Sequence, residues 1–342
     1  MHDRPQLAAN IAAPVPATLP VRDSAAHRSA RLLQRYGSFA TLVALVVIAG
    51  FLSPNFISQS NIRLQLQSFA LSTALIAVGQ TLVILTGGID LSVGSLLAVG
   101  SCLAGALLGR GAPAAVALAV PVAVTTLIGS LSGTIIAKTR IQPIVVTLAV
   151  MIAARGVAQL ISGDATIAIA SENFNAIATT QLGPVPILGP IPISVVLAVA
   201  IYAFVAFLLA RTVLGRSIFA VGGNERAARL SGIDANGVRV TVYAASGCLA
   251  GLAGVLYASY NSTADPLNDG LFFELTAIAA VVVGGTRLLG GVGGVWRTLV
   301  GGLILTVLYA LFIQVGLPTP TQLIAQGVII AAAVILQGGG ES

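Results

Sequence analysis

Apolar residues run in long blocks along this chain, separated by short polar or glycine-rich interruptions. A membrane-crossing helix needs about 20 predominantly apolar residues, and most of the blocks reach that length. Helical segments are predicted at 36 to 53, 64 to 86, 91 to 108, beyond Pro113 to about 137, 142 to 161, 192 to 210, 237 to 260, 271 to 286, 295 to 315 and 321 to 337. The ten-residue alternation of a membrane β-barrel is missing. The expected fold class is therefore all-α, a polytopic transmembrane helical bundle of about ten membrane segments.

One block is too short. In the segment 271 to 286 only about 13 uninterrupted residues follow Asp269, below the usual length of a span. It is expected to be broken or re-entrant, which a membrane tolerates only where protein or a water-filled cavity surrounds the unwound backbone. The longest break in the membrane body, 162 to 191, carries Asp164, Glu172, Pro184, Pro186 and Pro190 and is expected to hold one short surface helix.

The stretch from Arg211 to Asp234 is the main polar interruption, with Arg211, Arg216, Arg226 and Arg229 in a chain where 8% of residues are charged. Its second half reads as a short helix. Asn224 is placed to cap it, Glu225 sits in the first turn, Arg229 in the last, and Gly232 terminates it. So short a helix cannot stand alone in water and needs a partner surface.

The cations orient the segments. With the N-terminus cytoplasmic, the inner side collects the five arginines of the tail, Lys138 and Arg140, the five arginines from Arg211 to Arg239, and Arg287 and Arg297; the outer side holds only Arg63 and Arg110. The positive-inside rule favours this choice. Both termini are then cytoplasmic, and the loops 162 to 191 and 262 to 274 are external.

Composition agrees: 56% of residues are hydrophobic and mean hydropathy is +0.98. Residues 1 to 35 read as a solvated, disordered, Arg-rich tail, and 36 to 53 as an uncleaved anchor. Cys102 and Cys248 fall inside apolar runs as packing residues, and His2 and His27 lie in the tail. The body thus lacks the commonest general base and metal ligand, and no catalytic or metal-ligating residue is expected. The single lysine, Lys138, follows no phosphate-binding glycine loop, so this chain calls for no cofactor of its own.

Gly87-Gly-Ile-Asp-Leu-Ser-Val-Gly94 has a partial echo in Gly284-Gly-Thr-Arg-Leu-Leu-Gly-Gly291, a hint that two breaks do related jobs. Asp90, at the first, is expected to cap a helix starting at Leu91, although a carboxylate at membrane depth also suggests function. Arg155 is expected to snorkel to the outer interface. Asp90, Ser92, Arg155, Glu274 and Thr276 are the translocation-pathway candidates. Gly129 with Gly133, and Gly247 with Gly251, put small residues on one helix face for close packing.

Three phrases carry a resemblance: Val78 to Ser95, Gly215 to Ile233, and Glu274 to Thr286. From about residue 60 to 337 the chain resembles the permease subunits of ribose, xylose and branched-chain amino acid importers of the ABC class. The resemblance implies a permease domain over 36 to 337 in the bacterial inner membrane, with a cytoplasmic coupling loop at 211 to 236. It further implies an ABC ATPase subunit that hydrolyses ATP with Mg, a periplasmic solute-binding protein, and a second permease copy or close paralogue. Membrane lipid is the remaining partner, and no nucleic acid is expected. Gly222, Gly223, Asn224, Glu225, Arg226, Ala227, Arg229, Leu230, Gly232 and Ile233 become the ATPase-coupling residues, with Ala227, Leu230 and Ile233 supplying apolar contact. The Gly-Gly-Ile-Asp-Leu-Ser phrase points to the simple-sugar branch. Branched-chain amino acids and nucleosides are the alternative substrates. An ion-coupled carrier would need more intramembrane charge than Asp90 and Arg155, and an enzyme would need membrane histidines or paired carboxylates.

Overall fold

The computed structural model describes residues 25–53, 55–139, 141–185 and 189–338. Residues 1–24 of the tail, Arg140 and Pro186 lie outside them. The helices in chain order are α1 (Ala25–Leu52), α2 (Gln59–Phe69), α3 (Leu75–Leu85), α4 (Val93–Gly109), α5 (Ala114–Thr139), α6 (Pro143–Ser162), α7 (Glu172–Thr179), α8 (Ile193–Arg211), α9 (Val213–Gly223), α10 (Glu225–Leu230), α11 (Ala235–Asn261), α12 (Phe273–Val283), α13 (Val295–Gln314) and α14 (Thr319–Gly338). Four short strands, β1 (Ile167–Ala168), β2 (Gln181–Val185), β3 (Gly189–Pro192) and β4 (Thr263–Ala264), pair antiparallel as β1 with β4 and β2 with β3.

Every predicted segment is helical, with shifted ends. The helix predicted from 36 begins at Ala25, so its first turns fall inside the stretch expected to be disordered. Helices α2 and α3 form one continuous element, joined by a π-helical turn at Ala70–Ala74 that the periodicity did not predict. A π-turn inserts one extra residue into the ladder and often marks a functional position.

Burial sorts the spans into central and lipid-facing. Of the most apolar window in Gln59–Leu85, 89% is buried in protein, against 22% in Ala114–Thr139 and 28% in Ile193–Arg211. Helices α3, α4 and α11 line the protein core, where Leu75, Ile76, Leu96, Leu97, Tyr243 and Leu256 are almost fully buried. Helix α5 meets α11 through both small-residue motifs. A Cβ on Gly129 would lie 3.2 Å from the Gly247 Cα, and one on Gly133 would lie 2.9 Å from the Val240 Cα. The side chains of α5 that face away, Leu127, Leu131 and Ile135, are exposed, as hydrocarbon-facing residues are.

Helix α7 supplies the short helix expected between 162 and 191. It docks onto α11: Phe174 and Ala178 are fully buried, and the Ser259 hydroxyl donates to the Phe174 carbonyl at 2.7 Å while accepting from the Ala178 amide at 3.1 Å.

Candidate translocation site and coupling stretch

The short span is broken as predicted. Helix α12 has 11 residues and rises about 16 Å at 1.5 Å per residue, roughly half of the bilayer's hydrocarbon core. The preceding residues, expected to be an outer loop, instead follow α4 as a run of turns. A Cβ on Gly105 would meet the Ala264 Cβ at 3.4 Å, the Ser101 hydroxyl donates to the Asp269 carboxylate, and a Cβ on Gly270 would lie 3.2 Å from the Gly94 Cα. The chain therefore follows α4 as successive turns, closed by the Asp269 amide on the Asp265 carbonyl at 3.0 Å and the Leu271 amide on the Asn268 carbonyl at 3.2 Å, before α12 begins.

Unwound backbone in a membrane needs partners, and Arg155 is one. From α6 its Nη1 donates to the carbonyls of Pro266 at 2.9 Å and Asp269 at 2.8 Å. This corrects the snorkelling expectation: the guanidinium points into the protein because two otherwise unpaired carbonyls outcompete the interface. Asp269 also accepts from the Asp265 amide at 3.0 Å, closing the turn. Glu274 lies against Gly94 in the first turn of α4, where a carboxylate is favoured by the helix dipole.

Where the unwound segment ends, a cavity of about 560 Å³ opens between the π-turn, α11, α12, α13 and α14. Its walls carry hydroxyls (Ser68, Ser72, Thr276, Thr306), amides (Asn261, Gln322, Gln326) and aromatic rings (Tyr257, Phe273, Tyr309) set among leucine and isoleucine side chains and, among the described residues, no charged side chain. Phe272, at its edge, holds φ +63, a backbone region that bulky residues rarely adopt and that clusters at functional positions. Gln326 donates to the Thr276 hydroxyl at 2.9 Å. Gln322 donates its amide nitrogen to the Leu317 carbonyl at 2.7 Å. Its buried oxygen has no partner and, with the nitrogen committed, can only accept.

Of the five pathway candidates, Thr276 alone lines this cavity. Asp90 is 1% exposed and belongs to the break between α3 and α4. It does not cap α4, which starts at Val93 with Ser92 in the cap position. The Asp90 carboxylate instead accepts from the Ser92 amide (3.0 Å) and hydroxyl (2.6 Å) and, across the core, from Ser246 on α11 (2.8 Å). Thr147 donates to the neighbouring Ile89 carbonyl at 3.1 Å. Both breaks thus use side chains from neighbouring helices to replace missing main-chain bonds. The cavity glutamines went unmarked in the sequence reading, although Gln322 and Gln326, four residues apart in an apolar helix, share a face.

The coupling stretch holds two helices, α9 and α10. Gly222 and Gly223 end α9. Asn224, extended at φ −159, breaks the axis and caps α10 by accepting from the Ala227 amide at 2.9 Å. Gly232 follows at φ +83, as read from the sequence. Glu225 pairs with Arg229 at 2.9 Å and with Arg239 of α11, and so braces α10. Burial raises the Glu225 pKa, but the bonds from Arg229 and Arg239 outweigh it and hold the carboxyl below its ordinary value. Arg226, Ala227 and Leu230 are exposed, Leu230 at 84%. Ile233 is partly buried against the core of its own chain.

A polytopic helical membrane protein with a broken span, a neutral cavity and a separately capped polar helix is a transport permease. The chain belongs to the family described as branched-chain amino acid transport system / permease component, whose model matches residues 62–334. It is 40% identical to the ribose import permease protein of Escherichia coli strain K12 over 306 residues, 89% of this chain and 94% of the relative. The ribose import permease protein of Bacillus subtilis strain 168 is 37% identical, over 89% of this chain and 93% of its own length. The D-allose transport system permease protein of Escherichia coli strain K12 is 34% identical, over 88% and 91%. No solved structure matches the chain.

Proposed function

We propose that this chain is the membrane subunit of a monosaccharide importer and that the cavity beside α12 is its share of the solute path. The observation that carries this reading is the neutral cavity wall of hydroxyls, amides and aromatic rings. A pyranose or furanose presents hydroxyls that exchange hydrogen bonds with Ser, Thr, Asn and Gln, and C–H faces that pack on aromatic rings. A zwitterionic amino acid would leave an ammonium and a carboxylate without counter-charges there. The names of the relatives, ribose and D-allose permeases, support the sugar reading.

Energy then comes from ATP and Mg in a separate ATPase subunit docked on α10, and solute is delivered by a periplasmic binding protein. A second permease copy or close paralogue completes the path. In the bacterial inner membrane both termini face the cytoplasm, as the distribution of arginines favours.

The test is reconstitution of the chain in proteoliposomes with a ribose-type ABC ATPase and periplasmic binding protein from the same organism, supplied with labelled ribose, allose or leucine. ATP-dependent sugar uptake is expected, and no hydrolysis by this chain alone. Leucine uptake without sugar uptake would overturn the sugar reading, and ATP hydrolysis by the isolated chain would overturn the partner-driven one.

A further inference from the structure

Glycines from three distant parts of the chain meet at one point. Gly87 and Gly88 follow α3, Gly222 and Gly223 end α9, and Gly290 and Gly291 lie between α12 and α13. The Gly291 amide donates to the Leu85 carbonyl at 3.0 Å. A Cβ on Gly222 would overlap that same carbonyl oxygen and lie 2.6 Å from the Gly291 nitrogen. A Cβ on Gly290 would sit 2.8 Å from the Gly87 nitrogen, and one on Gly291 would sit 2.8 Å from the Gly223 Cα. Gly87, Gly290 and Gly291 also take positive φ, at +78, +89 and +72.

Gly222 is different: its backbone is helical, so only the touching main chains require glycine there. Gly223 is its natural control, because a Cβ on it would meet nothing within 4 Å.

We propose that this junction passes movement of α10 to the two broken elements, and that Gly222 is the positioning residue on which the transfer depends. Gly222 lies two residues before Asn224, the α10 cap. On the other side, Leu85 leads into the break before α4, while Gly291 follows α12, whose first turns hold Phe273 and Thr276 on the cavity wall. Side chains between packed helices absorb small shifts by changing rotamer. Main chains in direct contact have no such slack, and Gly222 touches both Leu85 and Gly291, which a hydrogen bond joins to each other. A displacement of α9 and α10 therefore reaches both breaks together. The inference rests on the reading that α10 receives an ATPase.

The test compares Gly222→Ala and Gly223→Ala in the assembled transporter, with ribose as the probe. Gly222→Ala is expected to retain ATPase capture and ATP hydrolysis while ribose moved per ATP falls about tenfold or more, the scale of a small misplacement. Gly223→Ala should keep the wild-type ratio. A wild-type ratio in Gly222→Ala, or equal loss in both variants, would overturn the junction. Should Gly222→Ala fail to insert, spin labels on Ser231→Cys with Leu289→Cys, and on Ser231→Cys with Ser171→Cys, decide the matter with the glycines intact. The 171 to 231 distance must change on nucleotide binding while the 231 to 289 distance stays constant, and any other pattern rejects the proposal. Failure of the docking reading looks different: ATPase capture would then be indifferent to Leu230→Asp.

Discussion

The guanidinium of Arg155, inside the membrane helix α6, donates to the main-chain carbonyl of Asp269 at 2.8 Å. The same nitrogen reaches the Pro266 carbonyl at 2.9 Å. A charged side chain is costly in a membrane, and here it offsets a second cost, that of carbonyls stranded by an unwound span. The two problems solve each other. That arrangement lets the chain beside α4 stay irregular and leaves α12 short, with its first turn at the edge of the cavity.

Replacing Arg155 with Met should therefore cost stability at the broken span. Each carbonyl left buried without a donor costs about 1–3 kcal/mol, so Arg155→Met should unfold at a distinctly lower temperature in detergent. Arg155→Lys, able to reach one carbonyl, should fall between. Equal melting of Arg155→Met and wild type would show that the pair of bonds is idle.

Gln322 lines the cavity, and its buried amide oxygen has no hydrogen-bond partner. If a solute hydroxyl uses it, Gln322→Leu should raise the half-saturating concentration of ribose about tenfold, the equivalent of one hydrogen bond of about 1.4 kcal/mol. ATPase capture should not change, since α14 lies apart from α10. Transport with an unaltered half-saturating concentration would remove Gln322 from the path.

Leu230 is exposed on a capped helix that presents Arg226 and Ala227 beside it. Leu230→Asp would place a charge in a desolvated contact, a change on the order of 3–5 kcal/mol for an unpaired buried charge. The variant should insert at normal abundance and lose both ATPase co-purification and uptake. Ile233→Ala should leave capture intact, because Ile233 packs on its own chain. Wild-type capture by Leu230→Asp would mark α10 as an ordinary loop.

Orientation is checked by single cysteines at Ser171, which caps α7, and Ser231, which follows α10, in a chain lacking Cys102 and Cys248. An impermeant thiol reagent applied to intact cells should modify the first and spare the second. Modification of both would sink the assignment of sides.

Much of this protein is written locally. The spans follow from runs of apolar residues, and the α10 caps follow from Asn224 and Gly232, because both depend on residues within a few positions of each other. The shortness of α12 was equally legible, since length against bilayer thickness is a matter of counting. The two small-residue motifs marked close faces on α5 and α11 without saying that they face one another. Only the tertiary path of the chain decided the rest. Arg155 looked destined for the interface until the carbonyls of Pro266 and Asp269 were placed beside it. Asp90 looked like a cap until Ser246 arrived from α11. The meeting of Gly222 with Leu85 and Gly291 joins residues far apart in sequence, and nothing in the neighbourhood of any one of them encodes the other two. Periodicity and capping are short-range properties of a chain, whereas pairing an unwound carbonyl or touching two main chains depends on how whole helices pack.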